Sequence, residues 1–345
     1  MGEKEIIREI GEMIHQTELL DWRDDCVISK LTDKLSLLYS IDRPERIFFS
    51  NNENEDLKLY GRWSAGVVAN DVIACGAFPV GISFDIGSSE FDNVNDLKVW
   101  ISGVLDVCHI YNMKYEGGNI GIGKGISGVS WGIQENSKII RRKGANHGDI
   151  IIATANIGTG WALRLLESKY DLNNINILND FKLYKHSPWI NLKAFKLIWE
   201  LDAISCGMDI TDGIVEFGYE ILEQSGLGVI FNFVENRPFP IDYVANVFQY
   251  PEAAFLFEPG YDTPFAHGWC IKEGLIDKVI QILKHSNVPY TILGKTSSKV
   301  NKVYVERNFE RVELPKYWDD VNKSRGSIEI WKTDILPLIE KLKCV

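Results

Sequence analysis

Apolar positions along the chain fall into short runs and helical stripes that alternate from the first residues to near residue 293. The stretch 5–20 sets Ile, Met and Leu at helical spacing among charges. Runs at 35–41 and 46–50 read as strands, parted by the Asp42-Arg43-Pro44 turn. The pattern predicts a helix over 63–75, ended by Gly76 and Pro79, then a strand Val80–Ile86 and a helix Val94–Tyr111. A strand Lys114–Glu116 runs into Gly117-Gly118, and 126–133 is a further strand. The polar, glycine-containing stretch 141–149 divides the chain. Beyond it come strand Ile150–Ala155, a helix opened by Gly158-x-Gly160 and reaching about Tyr170, and a loop over 171–185. Helices are predicted at 190–202, 213–225, 241–249 and 273–285, with strands at 228–233, 254–257 and 290–293. Both halves alternate strand and helix, so the fold class is α/β (α+β) in two domains, 1–145 and 146–345.

Composition narrows the function classes. The 345 residues carry 37 Lys+Arg against 48 Asp+Glu, a formal charge of −11, with 45% hydrophobic positions. Two domains suit that length. The acidic balance argues against a nucleic-acid partner. The longest apolar runs, such as that around Ile150-Ile151-Ile152, are strand-length and far short of a membrane span. The N-terminus lacks the basic start and apolar middle of a signal peptide, and Ile6 stands where a myristoylation motif wants Ser or Thr. Cysteines 26, 75, 108, 206, 270 and 344 form no C-x-x-C pair, which disfavours a disulfide scaffold or zinc site and suits reduced thiols in a cytoplasm.

The positions of the carboxylates carry the chemistry. Asp24-Asp25 precedes an apolar run, Asp42 ends a strand, Asn70-Asp71 interrupts a small apolar helix, and Asp209 and Asp212 flank Ile210-Thr211 before Gly213. Asp212 alone would serve equally well as a helix cap. Together these acids look like an oxygen-only site for a hard cation, Mg²⁺, which takes carboxylates together with phosphates and water. Gly117-Gly118-Asn119 after a strand lets backbone N–H groups approach an anion. Gly158-Thr159-Gly160 before a helix is a weaker signal of the same kind. Phosphate-binding loops of the common nucleotide folds are missing, and so is a kinase catalytic loop. His147 and His267 stand alone, in no Ser-His-Asp arrangement. Trp161 and Trp269, near glycines, are candidates for stacking on a ligand ring.

Six pieces in order resemble one superfamily: D-D (24–25), D (42), N-D with a following apolar-Cys-Gly-Ala-x-Pro run (70–79), G-G-N (117–119), R-K-G-A-x-x-G-D (142–149) and M-D-I-T-D-G (208–213). That superfamily is aminoimidazole ribonucleotide synthase with thiamine-monophosphate kinase, selenophosphate synthetase, the hydrogenase maturation protein HypE and formylglycinamidine ribonucleotide synthetase. The likeness spans about 20–300 and is strongest to thiamine-monophosphate kinase. It implies a two-domain PurM-like fold whose N-terminal sheets pair across a homodimer into a barrel, with ATP in the cleft between domains. It further implies that Asp24, Asp25, Asp42, Asp71 and Asp209 or Asp212 hold Mg²⁺ against ATP. Asn70 belongs to the same motif, Gly117, Gly118 and Asn119 would lie against the triphosphate, and Arg142 would contact phosphate oxygens during transfer.

The chain departs from the kinase pattern in several places. Arg23 replaces the glycine before the acid pair. Asn119-Ile120 replaces Asp-Thr and is closer to the G-G-N of formylglycinamidine ribonucleotide synthetase. Pro259-Gly260-Tyr261-Asp262 only echoes the C-terminal substrate motif. No cysteine precedes Cys26, where selenophosphate synthetase needs one, and Cys344 is penultimate where HypE ends on its cysteine. Phosphoryl transfer to a small molecule, an ATP-dependent synthase reaction and nucleotide binding without turnover are the three functions these motifs admit.

Overall fold

The structure, a computed structural model, describes residues 24–44, 52–169, 190–258, 265–316 and 327–343. The predicted helix 5–20, strand 46–50 and loop 171–185 lie outside them, as do Arg23, Pro259-Gly260-Tyr261-Asp262 and Cys344. The chain divides into two compact units, one centred on Arg23–Ile140 and the other on Arg141–Phe181 with Lys193–Val345.

The first unit is a five-stranded sheet covered by two helices. Its strands are β1 (Val27–Lys30), β2 (Leu35–Asp42), β3 (Pro79–Gly87), β4 (Lys114–Gly121) and β5 (Ile126–Glu135), in the order β1-β2-β5-β3-β4. All neighbours are antiparallel except β3 and β4, which run parallel. Helix α2 (Val94–Tyr111) links that parallel pair, as such a crossover requires. Its limits are those the apolar periodicity predicts.

Helix α1 (Glu53–Ala74) begins ten residues before its apolar stripe, which is the part that periodicity detects. Asn52 caps it by accepting from Glu55 N at 3.2 Å, and Glu53, Glu55 and Asp56 complement the dipole of its first turn. The two helices touch backbone to backbone: a Cβ on Gly61 would sit 1.9 Å from Trp100 O, and one on Gly103 1.9 Å from Lys58 O. Strand β1, beside the acid pair, was too short to stand out from its neighbours in sequence.

The second unit holds a seven-stranded sheet of order β12-β11-β8-β10-β6-β9-β7. Its strands are β6 (Ile150–Ala153), β7 (Ile204–Asp209), β8 (Gly228–Asn232), β9 (His267–Ile271), β10 (Thr291–Ser297), β11 (Val303–Arg307) and β12 (Glu310–Glu313). Helices α3 (Thr159–Lys169), α4 (Leu192–Glu200), α5 (Ile214–Ser225), α6 (Ile241–Phe248) and α7 (Ile276–His285) fall close to their predicted places. The predicted strand 254–257 is instead a 3₁₀ turn, Glu252–Phe257, whose residues Ala253–Phe257 are all buried. A short, fully apolar run has no period to separate strand from buried turn. Strands β7, β9, β11 and β12 also escaped prediction, β7 because Gly207 and Asp209 break its apolar run. Among the described residues no helix is long and apolar enough to cross a membrane.

Candidate functional site

Strand β2 alternates strictly. Ser36, Leu38 and Ser40 are buried, while Leu35, Leu37, Tyr39 and Ile41 lie on the other face. The hydroxyl of Ser40 donates to Asp71 Oδ2 on α1. One turn beyond Asp71, Cys75 ends α1, and its thiol shares a hydrogen bond with Cys26, the residue after the Asp24-Asp25 pair. Cys26, Cys75, Leu38, Val72 and Ala77 form a small buried cluster.

The electrostatics of that cluster locate the acids. Burial pushes the Cys26 thiol well up, with further pushes from the Cys75 hydrogen bond and the charges of Asp71 and Asp25. The Cys26 hydrogen bond pulls Cys75 down, but burial and the charges of Asp25, Asp24 and Asp71 leave it raised. Three carboxylates from two distant segments therefore act on one thiol. Their oxygen donors, with the Ser40 hydroxyl beside them and no imidazole, are the set a hard divalent cation takes. Among the described residues, the acids whose ligand atoms lie within 4.8 Å of one another are Glu53, Asp92 and Asp96, so Asp24, Asp25 and Asp71 converge less tightly than that.

Asp42 closes β2 two residues after Ser40. Burial raises its pKa, opposed by the Arg43 N–H that donates to its Oδ1 at 2.5 Å. Asn70 is buried on α1 beside Asp71.

The glycine motif divides in two. At Gly118 a Cβ would meet Phe84 O at 1.8 Å, so this glycine is demanded by the close packing of β3 on β4. Gly117, with φ +89°, has nothing within 4 Å of that position and leaves open space. Asn119 donates from Nδ2 to Asp85 Oδ1 at 2.8 Å, its directly paired neighbour on β3. Both are exposed, on the face opposite Phe84, whose ring packs on Trp100 of α2. The sheet thus separates Asn119 from Ser40 and Asp71, which face the helices. Asp85 escaped the sequence reading because it occupies one polar slot of an ordinary alternating strand, and Ser40 did for the same reason.

In the second unit Asp209 ends β7, is 7% exposed, and accepts from Thr211 Oγ1 at 2.9 Å. Asp212 is half-buried and is not the cap of α5: that position belongs to Gly213, at φ 86°. Arg142 is half-buried on the segment whose neighbouring Arg141 carbonyl accepts from Gly207 N at 2.9 Å. Gly158 is also required by packing, since a Cβ would stand 2.3 Å from Phe255 O. One expectation is corrected here. Trp161 and Trp269 offer no face to a ligand ring, because both are buried, Trp161 against Trp331 and Trp269 against Phe195.

Residues 23–132 match the family "AIR synthase related protein, N-terminal domain". That stretch of the chain is an AIR synthase-related N-terminal domain. A thiamine-monophosphate kinase of Methanospirillum hungatei is 24% identical over 260 residues, 74% of this chain and 78% of that protein. A selenide, water dikinase of Treponema denticola is 25% identical over 217 residues, covering 60% of this chain and 56% of that protein. Among solved structures, AaThiL complexed with AMPPCP and TMP aligns at a TM-score of 0.70 and 20% identity, over 91% of this chain and 96% of that one. The fold of this chain is therefore shared with AaThiL, solved in complex with AMPPCP and TMP.

Proposed function

We propose that the chain is an ATP- and Mg²⁺-dependent phosphotransferase acting on a small molecule, of the thiamine-monophosphate kinase kind, in the cytoplasm. What supports this most directly is that the charges of Asp24, Asp25 and Asp71, from two segments of the first unit, act together on one buried thiol, Cys75. Residues 1–145 would form the nucleotide-binding and dimerisation domain and 146–345 the second domain.

The division of labour follows from charge. Asp24, Asp25, Asp42 and Asp71 would supply carboxylate oxygens in the first unit, and Asp209 and Asp212 would do so in the second. Ser40 fixes the orientation of Asp71 through its hydroxyl. Gly117 leaves room for a triphosphate to come close to the backbone, beside Gly118 and Asn119. Arg142 supplies positive charge to phosphate oxygens. When bound, Mg²⁺ neutralises the phosphates and holds them in line for displacement. Asp209, the most buried of these acids, would orient the acceptor or a ligand at its strand end.

The first sheet also supports a homodimer. On the face away from the helices, Tyr39, Ile41, Trp131 and Ile133 form an apolar patch, Ile41 71% and Ile133 49% exposed. An exposed apolar patch of this kind suits pairing with a second copy.

The test is incubation with ATP, MgCl₂ and thiamine monophosphate, followed by mass spectrometry. A gain of one phosphoryl group on the thiamine phosphate is expected. Free phosphate with a nitrogen-containing product from a metabolite pool would instead select the synthase reading, which Asn119 favours. Nucleotide binding without turnover of any acceptor would select a non-catalytic dimer.

A further inference from the structure

We infer that Asp85 is a positioning residue for Asn119, holding that amide so that its carbonyl oxygen faces a divalent cation on a nucleotide; the inference rests on the reading of Asn119 as part of the nucleotide site. The two residues are 34 positions apart and occupy paired positions on the parallel strands β3 and β4. Asn119 Nδ2 donates to Asp85 Oδ1 at 2.8 Å, and both residues are exposed on the sheet face away from the helices. Asp71 lies across the sheet, bonded to Ser40. The cation that meets Asn119 is therefore a second one, apart from any that Asp71 holds.

The hydrogen bond decides which end of the amide is presented. An ionised carboxylate only accepts, so Asp85 takes the NH₂ group and leaves Oδ1 of Asn119 on the far side. A carbonyl oxygen suits a hard cation as a carboxylate does. An aspartate at 119 would instead set two negative charges side by side in the metal-free protein, and asparagine keeps the oxygen without that repulsion. The strand is shaped around the pair. Between Ile82 and Phe84 of β3, β4 carries one extra residue, a bulge that takes in Gly117 at φ +89°. Bulges re-aim the side chains beside them. Beyond the pair stands Gly121, where a Cβ would lie 3.7 Å from Asn119 Nδ2 and 3.9 Å from Asp85 Oδ1. At Gly117 a Cβ would meet nothing within 4 Å. Glycine on both sides thus leaves the amide uncovered along β4, the edge strand of its sheet. A hydrogen bond that served stability alone would require neither the bulge nor that bare approach.

The test measures Mn²⁺ binding in the presence of AMPPCP, from the electron paramagnetic resonance signal of free Mn²⁺. It compares the full chain with Asp85→Ala, Asp85→Asn, Asn119→Ala and the double variant Asp85→Ala with Asn119→Ala, with thermal melting of each. Asp85→Ala should weaken the binding of one Mn²⁺ by about tenfold with little change in melting temperature. Asp85→Asn, which keeps an acceptor for Nδ2, should restore most of it. The double variant should bind no more weakly than Asn119→Ala, since Asp85 acts through Asn119. Should Asp85→Ala melt early, Asp85→Val repeats the comparison with a side chain that suits a strand and accepts no hydrogen bond. Parent-like binding in Asp85→Ala, equal weakening in the Ala and Asn variants, or additive losses in the double variant overturns the inference while Asn119→Ala remains impaired. Parent-like binding in Asn119→Ala removes Asn119 from the site, and with it the role of Asp85. No Mn²⁺ binding by the parent would overturn the proposed function itself.

Discussion

Ser40 and Asp71 are 31 positions apart and are joined by a hydrogen bond from the strand hydroxyl to the helix carboxylate. That bond ties the end of β2 to the last turn of α1, one turn before Cys75. Ser40→Ala should cost about 1 kcal/mol of stability in urea denaturation. It should weaken Mg-AMPPCP binding several-fold in calorimetric titration, since Asp71 loses one of the groups that orient it.

The two glycines of β4 should respond differently to one methyl group. Gly118→Ala drives a Cβ into the Phe84 carbonyl and should destabilise the chain by about 2 kcal/mol or more. Gly117→Ala meets no atom, and its cost should be that of a left-handed conformation alone, about 1 kcal/mol. If Gly117 faces phosphate, its alanine variant should still lose nucleotide affinity. Denaturation and binding measured on both variants separate the packing role from the ligand role.

Charge on the outer sheet face should break a dimer without unfolding the protomer. Ile133 is directly paired with Leu37 there and is half exposed. Sedimentation should give a dimer for the parent and a monomer for Ile133→Asp, with an unchanged circular dichroism spectrum. A monomeric parent at micromolar concentration would remove the pairing.

Asp42 sets a pH dependence in the metal-free protein. Burial raises its folded-state pKa above the ordinary 3.8, so the folded chain holds this proton more tightly than the unfolded one. The resulting destabilisation is absent below the unfolded value, grows as pH rises through the interval between the two values, and is complete above the folded one. Asp42→Asn should therefore raise stability at pH 7 more than at pH 3.5. Added Mg²⁺ should narrow the difference at pH 7 if Asp42 is a ligand. Urea midpoints at both pH values, with and without Mg²⁺, check the sign.

How much was legible in the sequence depended on the range of the interaction. Helix α2 has a clear apolar stripe and was read to its limits, and β2 was read to within one residue. Helix α1 was read only from its apolar half, because its first turns are fixed by a cap and by acidic residues that carry no period. The acids stood out singly as costly groups in apolar settings. Their joint action on the Cys75 thiol depends on β2 lying under α1, which no local signal encodes. The pairings of Asn119 with Asp85 and of His267 with Asp209 depend on strand register, and β7 and β9 were themselves unread. Glycines carried the most ambiguous signal: Gly118 and Gly158 look like anion cradles in sequence, and in space a side chain at either would also strike a neighbouring carbonyl.

The decisive measurement is calorimetric titration of Mg-AMPPCP into the parent chain and into Asp71→Asn, with melting curves for both. The asparagine keeps the shape of Asp71 and an acceptor for Ser40 while removing the charge. The parent should bind, and the variant should bind at least about tenfold more weakly at an unchanged melting temperature. Equal affinity in the two proteins would show that these carboxylates do not grip the nucleotide's cation.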